Sequence, residues 1–196
     1  MIAIIDYNMG NLASVVNACK KIDAKAKVIQ KPDDIKNFDK IILPGVGAFG
    51  DAVSHLEKTG MKEAILEFAK SGKQMLGICL GMQLLFEKSQ EFGEVKGLSL
   101  IEGEVDYFKT SLKVPHMGWN KMFNKENPIF DGLDNPYLYF VHSLHAVCDD
   151  KYVIGYTHYD YKFVSAVNKD NIYGFQPHPE KSHNEGLKIL KNFVEL

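Results

Sequence analysis

The sequence contains no arginine, and all 23 of its basic residues are lysine. It therefore lacks the planar guanidinium group, which holds a phosphate or a carboxylate through two parallel hydrogen bonds. Neither of the common glycine-rich phosphate-binding patterns, the Walker A loop and the G-x-G-x-x-G turn, occurs in it. We therefore expect any phosphorylated substrate to be held by another protein chain.

Cysteine is scarce, and long apolar runs are absent. The three cysteines, Cys19, Cys79 and Cys148, form no C-x-x-C pair, so the sequence predicts neither a zinc site nor a disulfide framework. No stretch approaches the ~18 apolar residues of a membrane span, and the first residues lack the basic and small-residue segments of a signal peptide. These features predict a cytoplasmic protein with no metal, no cofactor and no membrane contact. Cys19 and Cys148 are interpreted as packing residues.

Acidic and basic residues nearly balance, with a net charge of −2 at pH 7 and no block of like charge. This balance argues against a nucleic-acid partner and against an anionic membrane surface. The hydrophobic content of 45% is typical of a globular protein, and 196 residues suffice to bury ~70% of the unfolded surface. Because no repeat, low-complexity run or linker interrupts the chain, we predict one domain over residues 1–196.

Strand and helix patterns alternate in the first half of the chain, which predicts a parallel sheet. The predicted strands there are residues 2–7, 26–29, 40–43 and 74–78, and the predicted helices are one that ends near Ile22 and one over residues 51–70 with a break near Gly60. After Gly93, shorter patterns predict mixed or antiparallel strands in the same sheet at residues 105–108, 137–141, 153–156, 163–168 and 172–175. With a closing helix over residues 185–194, the predicted fold is α/β: an open mixed, mostly parallel sheet flanked by helices.

A small-x-nucleophile-x-small pattern, Gly77-Ile78-Cys79-Leu80-Gly81, lies between the predicted strand at residues 74–78 and a predicted helix at residues 82–88. Strand, sharp turn and helix in this order form a nucleophile elbow, here with cysteine in place of serine. The turn would raise the Sγ atom of Cys79 above the sheet. The first N–H groups of the following helix would then favour a thiolate over a thiol.

A base and an orienting carboxylate lie together near the C-terminus, in Gln176-Pro177-His178-Pro179-Glu180. The prolines hold this stretch extended, so His178 and Glu180 leave the same face of the chain. Because the stretch follows another predicted strand, it can end at the same carboxyl edge of the sheet as the elbow, where open α/β folds place their sites. Cys79 as nucleophile, His178 as base and Glu180 as its orienting partner are the groups that acyl transfer requires.

The loop after the third predicted strand, Pro44-Gly45-Val46-Gly47, supplies backbone freedom beside the elbow. Glycines on both sides of Val46 allow backbone N–H groups to point at a ligand. We predict that Val46 N–H and Leu80 N–H form an oxyanion hole for a tetrahedral intermediate, each stabilising it by about 3 kcal/mol. A plain turn at the end of a strand is the alternative interpretation of this loop.

The segment from Gly77 to Gln83, followed by His178-Pro179-Glu180, resembles the triad-type (class I) glutamine amidotransferases. More narrowly, the chain resembles the glutaminase subunits of imidazole glycerol phosphate synthases nearly from end to end. The segments that carry this narrower resemblance are Ile5-Asp6-Tyr7, Met9-Gly10-Asn11-Leu12, Leu43-Pro44-Gly45-Val46-Gly47, Lys113-Val114-Pro115-His116-Met117-Gly118-Trp119-Asn120, Tyr139-Phe140-Val141-His142-Ser143 and His178-Pro179-Glu180-Lys181-Ser182.

The resemblance implies that glutamine is hydrolysed at Cys79 and that the ammonia passes through a channel to a separate, barrel-type synthase (cyclase) subunit. That subunit would make imidazole glycerol phosphate and AICAR in histidine biosynthesis. The residues that the resemblance implies for contact with L-glutamine are Gly47, Gln83, Glu91, His142, Ser143 and Leu144. Those implied to face the synthase subunit in a heterodimer are Asn11, Lys113, Trp119 and Lys181. Without the resemblance, Gln83 would be interpreted as a solvent-facing helix residue and Trp119 as an ordinary surface or core residue.

Three other functions remain open at the level of the sequence. A paralogous glutaminase would feed ammonia to a different synthase, such as one that aminates a surface-glycan sugar, and the neighbouring gene for the barrel subunit would distinguish it. A non-catalytic regulatory partner would have lost a member of the triad, whereas Cys79, His178 and Glu180 are all present. A peptidase or another thiol hydrolase is disfavoured, because Val46 and Gln83 suit a small amino-acid amide.

Overall fold

The computed structural model describes every residue from Met1 to Leu196. The strands, in chain order, are β1 Ile2–Ile5, β2 Ala26–Ile29, β3 Lys40–Gly45, β4 Gln74–Cys79, β5 Phe86–Ser89, β6 Val95–Lys96, β7 Ile101–Tyr107, β8 His116–Asn124, β9 Tyr137–His142, β10 Leu144–Val147, β11 Val153–Tyr159, β12 Tyr161–Lys169 and β13 Ile172–Phe175. The helices are α1 Leu12–Lys21, α2 Phe49–Thr59, α3 Met61–Lys70, α4 Leu80–Gln83 and α5 His183–Glu195. None of these helices is both long enough and apolar enough to cross a membrane.

All thirteen strands hydrogen-bond into one mixed sheet. Its parallel part has the order β2-β1-β3-β4-β13, and beyond β13 the path continues through β12, β10 and β7 to β5 and β6. Apart from the parallel pair β5 and β7, the pairings beyond β13 are antiparallel, and β11, β8 and β9 branch from β12. The predicted mixed sheet flanked by helices is confirmed, and its antiparallel part is larger than the sequence patterns indicated.

Helices pack on both faces of the parallel part, because successive residues of a strand point to opposite faces. Ile5 of β1 belongs to a core cluster with Phe49 of α2. Its neighbour Ile4 belongs to a second cluster, on the other face, with Val15 of α1 and Phe193 of α5. A strand that is buried on both faces is apolar at every position rather than at every second one, which explains the continuous apolar run of β1.

The carboxyl ends of β3, β4 and β13 meet at one edge of the sheet. Gly45 pairs with Cys79 at the ends of β3 and β4, and Phe175 pairs with Ile78 at the ends of β13 and β4. The loop after β3, the turn after β4 and the segment after β13 are therefore neighbours. This is the edge at which an open α/β sheet binds its ligands.

The predicted helix over residues 82–88 is wrong. Helix α4 ends at Gln83, and the chain continues as strand β5, which pairs in parallel with β7. The carbonyl of Leu85 accepts hydrogen bonds from the N–H groups of Leu100 and Ile101, so contacts with a later segment replace the helical ones. Because α4 has only four residues, its dipole supports the Cys79 thiolate less than the predicted longer helix would.

Most other predicted elements lie within a few residues of the observed ones, and the break near Gly60 is confirmed. Gly60 separates α2 from α3 with a φ of 72°, in the left-handed region that glycine favours. Strands β6, β8 and β10 were not predicted. The predicted closing helix over residues 185–194 corresponds to α5.

Candidate active site

Cys79 occupies the last position of β4 and precedes the first residue of α4. Its φ of 54° and ψ of −111° lie outside the regions that a residue with a side chain ordinarily adopts. Strained backbone of this kind persists only where the surrounding structure enforces it, and it is concentrated at functional sites. The strained turn places Cys79 at the tip of a nucleophile elbow.

The elbow is possible because two glycines allow its strand and helix to approach each other. A Cβ atom on Gly81 would lie 1.8 Å from the carbonyl oxygen of Leu43, in the neighbouring strand β3. A Cβ atom on Gly77 would lie 2.6 Å from the carbonyl oxygen of Gly81. Any larger residue at either position would push the turn away from the sheet, so the small residues of the sequence pattern have a steric cause.

His178 is held by the backbone of β9 and by the turn that follows it. Its N–H donates to the carbonyl of Tyr139 at 2.8 Å. The hydroxyl of Ser182 donates to the carbonyl of His178 at 2.6 Å and accepts from the N–H of Tyr139 at 2.9 Å. A Cβ atom on Gly186 would lie 2.0 Å from the carbonyl oxygen of Pro179, so α5 packs directly against this turn.

Glu180 orients the ring of His178. Its Oε1 atom lies 2.8 Å from Nδ1 of His178, and both side chains are only 2% exposed. The Nε2 atom of His178 is buried and has no hydrogen-bond partner among the protein atoms. With Nδ1 engaged by the carboxylate, Nε2 is the ring atom that can exchange a proton with a reacting group.

The electrostatics of His178 differ from those of an ordinary histidine. Burial alone lowers its pKa, but the interactions with Cys79 and with Glu180 outweigh burial and raise the pKa to about 10. The ring therefore holds its proton more strongly than the ring of an ordinary histidine does. An imidazolium stabilised by Cys79 on one side and by a carboxylate on the other is the arrangement of a cysteine nucleophile activated by histidine.

Cys79 and His178 line a cavity of about 390 Å³, which suits a small ligand. The predicted oxyanion and substrate residues that line the same cavity are Val46, Gly47, Leu80, Gln83, Glu91, His142, Ser143 and Leu144. Pro115 and Val141 complete its wall. Every residue predicted to bind substrate or to form the oxyanion hole thus borders one space, and Glu180 lies behind His178.

The loop after β3 holds its backbone in one orientation. The N–H of Val46 donates to the carbonyl of Met9 at 2.8 Å, so it is not available to an oxyanion in this conformation. The hydroxyl of Tyr7 donates to the carbonyl of Pro44 at 2.9 Å, two residues earlier. Burial, together with the charge of Cys79, raises the pKa of Tyr7 well above its ordinary value, so this hydroxyl keeps its proton.

Glu91 borders the cavity and also has a structural contact. Its Oε2 atom accepts a hydrogen bond from the N–H of Phe49, the first residue of α2. A carboxylate at this position satisfies one of the free N–H groups of a helix start. One oxygen of Glu91 therefore stabilises the start of α2, and this hydrogen bond positions the carboxylate at the cavity.

A family model, Glutamine amidotransferase class-I, matches residues 3–196. The chain belongs to this family. Its relatives include the "Imidazole glycerol phosphate synthase subunit HisH" of Sulfurimonas denitrificans, which is 64% identical over 100% of this chain and 98% of the relative. The protein of the same name in Wolinella succinogenes is 58% identical over the full length of both. A solved structure described as "Crystal structure of glutamine amidotransferase" has a TM-score of 0.80 over 100% of this chain and 98% of that one; its 16% identity makes this a likeness of fold.

The residues predicted to face a partner of this amidotransferase lie outside the cavity. Asn11 and Lys113 are exposed, and Lys181 is half-buried. Trp119 is 47% exposed on β8, where its ring stacks on that of His183 at a centroid distance of 4.9 Å. All four are accessible in the single chain, as contact residues must be.

One polar residue of the amidotransferase site received no role from the sequence. Gln176 is fully buried, with its Nε2 atom 3.7 Å from Sγ of Cys79 and its Oε1 atom 2.9 Å from Nε2 of Gln83. It precedes His178 by two positions, just as His178 precedes Glu180. Between Gln176 and His178 this spacing favours side chains on one face, which is the signal that could have identified it.

Proposed function

We propose that the chain is the glutaminase subunit of an imidazole glycerol phosphate synthase, and that residues 1–196 act as one amidotransferase domain. The observation that carries this proposal is the joint position of Cys79, His178 and Glu180 at a cavity bordered by all of the predicted substrate residues. The 64% identity to a subunit of that synthase supports the choice of pathway.

In the proposed reaction, the thiolate of Cys79 attacks the side-chain carboxamide carbon of L-glutamine. The carbonyl oxygen becomes an oxyanion, which needs hydrogen-bond donors at the positions of Leu80 N–H and Val46 N–H. His178, protonated and held by Glu180, gives a proton from Nε2 to the departing nitrogen, so that ammonia leaves and a thioester forms. Water then attacks the thioester, with His178 taking its proton, and glutamate is released.

The remaining cavity residues would select the substrate. Both amide hydrogens of Gln83 are engaged, by the carbonyl of Leu144 at 3.3 Å and by Gln176 at 2.9 Å. Its oxygen is therefore the atom available to the ammonium group of an amino acid. The backbone of His142 to Leu144, between β9 and β10, borders the same side of the cavity and offers further contacts to the amino-acid end.

The partner in this proposal is a separate, barrel-type synthase (cyclase) subunit that receives the ammonia and makes imidazole glycerol phosphate and AICAR. Large apolar side chains are exposed on β8, on the segment before it and at the start of β9; they are Leu112, Val114, Met117, Trp119, Phe123 and Tyr137. Apolar and aromatic residues at this density are typical of the centre of a protein interface. Pro115 of the same segment borders the active-site cavity, so a subunit docked here would lie beside the source of ammonia.

We also propose that the reaction takes place in the cytoplasm. The three cysteines remain free thiols, which suits a reducing compartment. No nucleic-acid or membrane partner enters the proposal.

The decisive experiment measures glutamate release by the purified chain alone, with the barrel-type subunit, and with that subunit and its phosphorylated acceptor. We expect glutamate release and imidazole glycerol phosphate formation only when Cys79 is present, with Cys79→Ala as the inactive control. Formation of an aminated sugar with a different synthase, and no response to the cyclase, would favour the paralogous glutaminase instead.

A further inference from the structure

A buried series of hydrogen bonds ends on the sulfur of Cys79, and the donor and the acceptor of each bond are fixed. The chain starts at the carbonyl of Leu144, an oxygen that can only accept. The side-chain atom of Gln83 that lies 3.3 Å from this oxygen must therefore be the amide nitrogen. The same nitrogen lies 2.9 Å from the side chain of Gln176, which must in turn present its oxygen.

The last link follows from the first two. With Oε1 of Gln176 turned to Gln83, its Nε2 atom is turned to Cys79 and lies 3.7 Å from Sγ. Neither amide can flip without setting two oxygens or two nitrogens against each other. The nucleophile is thus faced by this N–H donor, which favours an anionic sulfur over a neutral thiol. The carbonyl of Val141, 3.9 Å from Sγ, can accept only from the neutral thiol. The titratable side chains near the sulfur are His178 and Tyr7.

Burial increases the effect of this contact. Gln176 is fully buried and Gln83 is 6% exposed, so water competes little with either amide. The backbone of Gln176 is fixed as well, because its N–H donates to the carbonyl of Ser165 at 2.9 Å. Hydrogen bonds to charged groups are stronger where water is excluded.

We infer that Gln176 is a further catalytic residue, whose carboxamide stabilises the thiolate of Cys79 and orients Gln83 toward the amino-acid end of the substrate. This inference rests on the proposed glutaminase function for its consequence in turnover. The hydrogen bond to sulfur can be tested without glutamine. Because the thiolate alone attacks, loss of the donor lowers the fraction of reactive sulfur at neutral pH.

The test follows alkylation of Cys79 by iodoacetamide from pH 5 to pH 10, with the modified peptide quantified by mass spectrometry. In Gln176→Met, which has a similar volume and no donor, the pH of half-maximal rate should rise by about one unit, equivalent to about a tenfold smaller ionisation constant of the thiol. The plateau rate at high pH should not fall, because a less stabilised thiolate is at least as nucleophilic. A merely structural role would lower the plateau or leave the midpoint unchanged.

Two further variants separate the donor from the packing. Gln176→Glu keeps an acceptor for Gln83 but sets a negative charge against the sulfur, so its midpoint should rise more than that of Gln176→Met. Gln74→Met is the matched control, because Gln74 begins β4 and Cys79 ends it. The midpoint of this variant should equal that of the wild type. Equal midpoints in the wild type, Gln176→Met and Gln176→Glu would overturn the inference.

A second measurement needs no change at Gln176. In the wild-type chain, the side-chain amide resonance of Gln176 should shift with the same midpoint as alkylation, and this shift should be lost in Cys79→Ala. A resonance that is insensitive to pH across the midpoint would also overturn the inference. Absence of glutamate release by the wild-type chain with its partner would instead contradict the proposed function, whatever the alkylation profile.

Discussion

His116 donates a buried hydrogen bond from Nδ1 to Nε2 of His142, a residue of the active-site cavity wall, and the two nitrogens are 3.0 Å apart. The direction follows from His142, whose Nδ1 lies 2.7 Å from the carbonyl of Leu144 and must carry the proton. Nε2 of His142 then accepts, so Nδ1 of His116 is protonated, and the amide nitrogen of Asn120 donates to Nε2 of His116 at 3.2 Å. Both rings are thus neutral, each with one fixed tautomer.

Neutral buried histidines make the fold sensitive to acid. Burial lowers the pKa of His116 to about 4 and that of His142 to about 3, and it also lowers the pKa of His145. The unfolded chain binds these protons below its ordinary histidine pKa of ~6.5, whereas the folded chain does not. The contribution to stability is therefore complete above that pH and is lost as the pH falls toward the folded values. We expect unfolding near pH 5 to take up about two protons or more.

The measurement is urea unfolding from pH 4 to pH 7. In His116→Phe the dependence on pH should be flatter by about one proton, and the variant should be about 1–3 kcal/mol less stable at pH 7, because Nε2 of His142 loses its donor. His158→Gln, at an exposed histidine, is the control and should keep the wild-type slope. His178 acts in the opposite direction, because its raised pKa stabilises the fold at neutral pH and this stabilisation is lost toward pH 10. Unchanged stability between pH 7 and pH 4 would contradict the assignment of neutral buried rings.

An electrophilic analogue of L-glutamine should label only Cys79. Burial raises the pKa of Cys19 to about 11, and burial with the nearby charge of Asp149 does the same for Cys148, so both remain poorly reactive thiols. Cys79 alone of the three borders the cavity. Peptide mass spectrometry decides the point, with Cys79→Ala as the unlabelled control. A label on Cys19 or Cys148 would refute the elbow as the reactive site.

Replacing the two partners of the nucleophile should have unequal effects. His178→Ala removes the proton donor and should lower the turnover number for glutamine by about 10⁴-fold. Glu180→Gln leaves an oxygen that can still position the ring at Nδ1 but removes the charge that stabilises its cation, so a smaller loss than in His178→Ala is expected.

The same two variants also test whether only the supply of ammonia depends on this chain. Ammonium supplied in the medium should restore product formation by the assembled synthase in both variants, because only the supply of ammonia is affected. If ammonium fails to rescue either variant while circular dichroism reports an intact fold, acceptor chemistry must also involve this chain.

The joint position of Cys79, His178 and Glu180 was predictable because each half of this predicted triad is a short local segment. Gly77 and Gly81 identify the elbow around Cys79, and His178 and Glu180 lie only two residues apart. The predicted extended conformation of their segment is wrong, because Pro179–Lys181 form a short 3-10 helix that brings Glu180 to the ring of His178. Segments whose conformation depends on distant partners were not predictable. Strand β8 has few core residues and exposes Met117 and Trp119, so it lacks the alternating pattern of a half-buried strand.

The wrong helix after the elbow has the same physical cause. Leu84, Leu85 and Phe86 form an apolar run that fits a helix as well as a strand. What decides is the approach of a later segment, where a Cβ atom on Gly97 would lie 2.3 Å from the carbonyl oxygen of Phe86. The residues next to this apolar run do not indicate that contact, because a later segment of the chain makes it. Gln176 was missed for a different reason, since a buried amide is recognised by its partners and not by its type.

The loop after β3 should control the rate of glutamine hydrolysis. Val46 N–H donates to the carbonyl of Met9 at 2.8 Å, so the peptide must rotate before it can stabilise an oxyanion. We expect the synthase subunit with its acceptor to favour the rotated form. Because one oxyanion donor is worth about 10²–10³ in rate, glutamine hydrolysis should rise by at least that factor, in turnover rather than in KM.

Gly47→Ala tests whether the loop beside the Gly45–Val46 peptide must move when that peptide rotates. Gly47 has a φ of 101°, which L residues rarely adopt, and an added Cβ atom would lie 2.9 Å from Cε of Met9. The variant should therefore respond less to the partner. Gly72→Ala is the matched control, since Gly72 also has a positive φ, of 77°, but no atom lies within 4 Å of an added Cβ. Its strain should lower stability and leave the stimulation unchanged. Equal glutamate release by the chain alone, with the partner, and with partner and acceptor would mean that the loop is a plain turn and that its peptide plays no part in control.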